Sequence, residues 1–132
     1  MAPPRAPLAQ SESKARLFER LGLQENDECH RRLYAKMKEE AVEGRKRLTE
    51  DQSSLLVKLR DSRIEPPYSH AHVSESAIYQ EILRIYQLAQ ADTRAVYDLG
   101  RDADASEDEN WVIRWLLWHV FRYRDNRNRH RR

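Results

Sequence analysis

Glycine is nearly missing from this sequence: three residues, Gly22, Gly44 and Gly100, stand far apart. A phosphate-cradling loop needs clustered glycines, so that class of nucleotide site is excluded. Few turn-forming residues beside 35% charged side chains also argue against a turn-rich β architecture and for helices. Cysteine occurs once, as Cys29, which rules out an internal disulfide and fits a reducing compartment. No apolar run reaches the length of a membrane span, and the opening "MAPPRAPLAQ" lacks the apolar core of a secretion signal. An intracellular chain without membrane contact is the expectation.

Catalytic constellations are missing too. No serine lies in a G-x-S-x-G turn, and no Cys–His pair has a nucleophile's surroundings. The carboxylates are spread along charged helix faces. Cys29, His30, His70 and His72 are the one metal set worth weighing. Structural zinc uses paired spacings, whereas adjacent Cys29 and His30 diverge by about 100° on a helix. The expectation is no metal, no cofactor and no enzyme activity; a half-buried Cys29 and loop histidines explain these residues.

What is present is helical periodicity over 132 residues, about one domain. Residues 1–12 hold three prolines and read as a disordered leader. "SKARLFERLGL" predicts a short helix with Leu17, Phe18 and Leu21 on one side, stopped at Gly22. Asn26 or Asp27 caps a second helix carrying Cys29, Leu33, Met37 and Ala41, which fades near Gly44. Thr49–Gln52 fits a capping box opening a third helix with Leu55, Leu56 and Leu59. Pro66 and Pro67 fix a loop after it. The fourth stripe, Ile78, Ile82, Ile85 and Ala89, extends to Val96 and ends near Gly100, flanked by Tyr79, Tyr86 and Tyr97. A second box, Ser106 with Glu109, opens the last helix. The fold expected is an all-α single-domain bundle of four to five helices over 13–124, with a basic tail at 125–132.

Charge is unevenly placed. The net +2 is the difference between +6 on Trp111–Arg132 and −4 on everything before it. "RDADASEDEN" alone carries five acids directly ahead of the tryptophans. Acids at a helix N-terminus suit its dipole, which favours a structural role for that run over an acidic docking motif.

The last helix, "WVIRWLLWHVFRYR", sorts into two faces. Val112, Ile113, Leu116, Leu117, Val120 and Phe121 form one. Trp111, Trp115 and Trp118 form the other, interleaved with Arg114 and Arg122, with His119 at its margin. An amphipathic surface helix would leave that second face to small polar groups. Either the helix is central and buried on both sides, with the arginines lying across indoles, or the Trp/Arg face is a contact surface.

Arg122, Arg124, Arg127, Arg129, Arg131 and Arg132 come too densely to be paired internally. Arginine offers bidentate contact to phosphate and guanine edges, and Asn126 and Asn128 add hydrogen-bonding groups. Arg45, Lys46 and Arg47 make a smaller basic cluster that either joins this patch or ends a helix. The functional expectation is a nucleic-acid-binding domain, DNA rather than RNA, in the nucleus. The alternative is a protein-interaction or self-association module, with an acidic partner or a second copy, using Trp111, Arg114, Trp115 and Trp118.

Overall fold

A computed structural model of the chain describes residues 7–51, 55–56, 59, 70–101 and 110–130, without the side chains of His70 and 123–130. Five α-helices are found among the described residues: α1 (Lys14–Leu21), α2 (Glu28–Glu50), α3 (Glu75–Leu88), α4 (Ala91–Tyr97) and α5 (Trp111–His130). The all-α bundle expected from periodicity is therefore the fold. None of the described helices is long and apolar enough to cross a membrane.

Local chemistry accounts for most helix ends. Ser13 accepts the Arg16 N–H at 3.3 Å to start α1. Gly22, at φ 74°, ends it in the left-handed conformation, which costs glycine nothing. The Leu23 N–H then reaches back to the Phe18 carbonyl at 2.8 Å. Asp27, not Asn26, starts α2 by accepting from the Cys29 and His30 amides. Ser74 does the same for α3 through the Ala77 N–H. Each cap fills a donor the first turn leaves without a partner.

Four sequence expectations are corrected. First, α2 does not fade at Gly44 but runs on to Glu50. Gly44 is buried where α2 meets α3, and a Cβ there would stand 2.6 Å from Ile85 Cδ1. It is a contact glycine, and the basic run Arg45–Arg47 lies inside the helix.

Second, Thr49 opens no helix. It is buried in the last turn of α2, where its hydroxyl donates to the Lys46 carbonyl. Leu55 instead pairs with Val73 in an isolated antiparallel bridge, and the Leu56 N–H donates to the His72 carbonyl at 2.9 Å. Gln52 lies outside the described residues, as do Pro66 and Pro67.

Third, the long fourth stripe is two helices. Ala89 and Gln90 are both extended, with ψ of 150° and 163°. Side chains from elsewhere hold the break. Arg94 donates to the Gln87 and Ala89 carbonyls at the end of α3. Glu40 of α2 accepts from the Gln90 N–H and from the Thr93 hydroxyl.

Fourth, Asn110 caps α5. Its Oδ1 accepts from the Val112 and Ile113 amides, and its Nδ2 donates to the Tyr97 carbonyl at 2.6 Å. The expected Ser106–Glu109 box lies outside the described residues.

The core forms where α2, α3 and α5 meet. Met37, Ala41 and Leu48 from α2 and Ile78, Ile82 and Ile85 from α3 are buried with all six aliphatic and Phe positions expected for α5. Tyr97, read as flanking the stripe, is fully buried and donates to Glu40 at 2.6 Å. Burial and the carboxylate acceptor push its phenol far above the ordinary tyrosine range.

Candidate nucleic-acid interface and tryptophan face

α5 is the central helix of the bundle, and this divides the tryptophans. Trp111 and Trp115 are core residues, Trp115 with no exposed surface. The Trp115 indole N–H is buried without a hydrogen-bond partner, a desolvation cost of about 1–3 kcal/mol. Trp118 is half-buried and looks outward. The buried-on-both-sides reading therefore holds for Trp111 and Trp115, and the surface reading survives only around Trp118.

The arginines of this stretch use aromatic faces. Arg122 is exposed and lies over the Trp118 ring at 4.9 Å. Arg114 covers Tyr79 at 4.8 Å, not an indole, and pairs with Glu75 at 2.8 Å. His119 sits between the buried Trp115, on which it stacks at 3.6 Å, and Trp118, to which it is edge-on at 5.1 Å. Burial, opposed by its contacts to the backbone at Gln10 and Glu12 and reinforced by Arg122, holds its imidazole below the usual histidine value.

Helical backbone continues to His130, so Arg124, Asn126, Arg127, Asn128 and Arg129 stand on the same rod as the tryptophans. Arg131 and Arg132 lie outside the described residues.

The second basic cluster is split by its place inside α2. Arg45 donates to the Val120 carbonyl of α5 at 2.8 Å, one turn before Arg124. Arg47 turns the other way and donates through Nε to Glu81 at 2.7 Å. Lys46 stays exposed beside Glu43 at 3.4 Å. Of the three, Arg45 is the one brought to the base of the Arg-rich segment.

Two carboxylates matter structurally and were not singled out from the sequence. Glu81 is 4% exposed, held by Arg47 with Arg84 3.6 Å away, and its burial raises its pKa despite both arginines. Its sequence signal was an acid at a core-facing step of the Ile78–Ile82–Ile85 stripe. Glu40 gathers Tyr97, Thr93 and Gln90 from a different helix, and nothing near it in sequence marks that role.

Cys29, expected to be half-buried, is instead exposed, because it stands in the first turn of α2 on the side away from the core, and His30 Nδ1 accepts from the Gln24 N–H at 2.9 Å. Among the described residues no group of three or more His, Cys, Asp or Glu side chains could hold a metal ion.

Compared with known proteins, the chain matches no family model, and no curated protein or solved structure is significantly similar to it.

Proposed function

We propose that this chain is a non-enzymatic nucleic-acid-binding domain, DNA-binding in preference to RNA-binding, acting in the nucleus. One observation supports it most. The Arg-rich segment continues, as helix, the element most deeply anchored in the core. A 20-residue helix spans about 30 Å, so a rod fixed at its tryptophan end presents arginines in a set register at the other. Phosphate neutralisation by Arg122, Arg124, Arg127, Arg129, Arg131 and Arg132 would supply the affinity. Arg122, spread on Trp118, keeps its charge available while its position is fixed.

If about five arginines engage phosphates, log K should fall with log salt at a slope of about −4 to −5. Fluorescence anisotropy with labelled duplex DNA and RNA at two salt concentrations tests this, comparing the intact chain with one ending at Tyr123. Salt-sensitive binding lost on truncation is the expected result. Absence of binding to either polymer at low salt overturns the proposal. A second reading, protein interaction, rests on Trp118, half-buried at the surface with Arg122 spread over its ring.

A further inference from the structure

Four side chains form a row where α5 meets α3. Arg114, Trp118 and Arg122 stand four residues apart on α5 and so share one helix face. Arg114 lies over Tyr79 of α3 at 4.8 Å, and Arg122 lies over Trp118 at 4.9 Å. Aromatic ring and guanidinium alternate along the row. On its inner side Trp118 is wedged. With Gln10, Ile78, Arg114, Leu117 and Phe121 it lines a gap of about 10 Å³, room for one water at most. On its outer side the ring is covered by the Arg122 guanidinium, which belongs to a side chain that is itself exposed. Trp118 is a flat surface held in place, with a cover that one side chain can lift.

Two properties select the ligand. The indole offers area for stacking, and the guanidiniums beside it favour negative charge. A cationic ligand is disfavoured, because Arg122 already takes the electron-rich face of the ring. An apolar helix laid here would strip water from Arg122 without giving it a partner. A nucleotide carries both a flat base and an anionic phosphate. Inside a duplex a base is stacked and paired, so only an unpaired base can reach the indole.

We propose that Trp118 is a stacking site for an unpaired base of single-stranded DNA, with Arg122 moving out onto the far face of that base. The site rests on nucleic-acid binding by the tail and sharpens it. The arginines hold phosphates of either form, and Trp118 prefers the single strand. Magnitudes favour the exchange. An exposed cation–π contact is worth a factor of about two to five in affinity. A base stacked on an aromatic side chain is worth a factor of about five to one hundred and fifty.

The test titrates the full-length chain with two labelled strands of equal phosphate number and with a duplex. One strand is oligothymidylate of about 12 nucleotides, and the other is the same backbone without bases. Oligothymidylate should bind roughly ten-fold tighter than the abasic strand. Trp118→Ala should bring the two together and leave abasic-strand and duplex binding as they were. Equal binding of both strands by the unaltered chain overturns the stacking site and leaves the tail's role standing. A preference that survives Trp118→Ala does the same. No binding of any probe overturns both. Should Trp118→Ala not fold, the indole N–H resonances of the unaltered chain decide, because Trp111 and Trp115 are buried and cannot receive a base. The Trp118 resonance, identified by its absence in Trp118→Phe, should shift with oligothymidylate and stay in place with the abasic strand. An equal response to both overturns the site.

Discussion

Asn110 uses its whole side-chain amide, and little near it in sequence advertises that. At 1% exposure it caps α5 with its oxygen and ties down the Tyr97 carbonyl with its nitrogen. Asn110→Ala should therefore cost about 2–4 kcal/mol, a lost cap plus buried groups left unpaired. Asn110→Ser restores the cap without the Tyr97 bond, and its melting temperature should fall between those of the other two. Gly44 poses a question of sign. Alanine is the better helix former by about 1 kcal/mol, but its Cβ would stand 2.6 Å from a buried Ile85 tip. Overpacking costs about 1–3 kcal/mol, so Gly44→Ala should destabilise. In a thermal double-mutant cycle, Ile85→Val should recover part of that loss, since it removes the crowded methyl. The histidine and the buried glutamate act oppositely on pH. His119 binds its proton more weakly when folded, so its contribution is whole above 6.5 and is lost as pH falls through its lowered pKa. Glu81, raised above 4.5, contributes fully below that value and loses the contribution as pH rises through its raised pKa. His119→Gln should flatten the stability–pH profile just below 6.5. Arg122, Lys38, Tyr34 and the backbone at Glu12 are the other polar neighbours in play.

At the level of elements, the helices were legible and their interruptions were not. Apolar residues at three- and four-residue steps follow from helix geometry alone, so α1, α3 and the buried side of α5 could be read directly. The break at Ala89–Gln90 depends on Glu40, which accepts from Thr93 53 residues away and from Tyr97 57 residues away. No local window contains that information. The Thr49 motif failed for the converse reason: the local signal was sound, but the chain was already committed to α2, and Leu55 found Val73 instead of a helical neighbour. Glu40→Ala strands the fully buried Tyr97 hydroxyl and the Thr93 hydroxyl. It should cost about 2–4 kcal/mol and loosen α4 before the rest, which amide hydrogen exchange would resolve. Tyr97→Phe in that background should restore part of the stability, because it removes the stranded donor.

Across the whole molecule, α5 separates opposite charges. Five acids precede it between Arg101 and Asn110, and arginines crowd its far end, about 30 Å away. That asymmetry is plain in the sequence, and so was the choice between a central helix and a contact face. What sequence could not decide was how to share three tryptophans between core and surface, or where the Arg45–Arg47 cluster would point. Both depend on which elements flank α5. Truncation after Tyr123 keeps every described core residue, the last of which is Phe121. The shortened chain should therefore melt within a few degrees of the intact one, on the order of 1 kcal/mol, while losing polyanion binding. Replacing Arg124, Arg127 and Arg129 by glutamine should reduce the salt slope by about 2.7.

The stack of His119 on Trp115 also makes the chain its own optical instrument. An indole sealed from water and lacking a hydrogen bond emits toward the blue, and Trp118, half in solvent, emits toward the red. An imidazolium at ring-stacking distance quenches an excited indole by accepting an electron, whereas neutral imidazole does so poorly. Intrinsic fluorescence should therefore dim as His119 gains its proton, with no label attached.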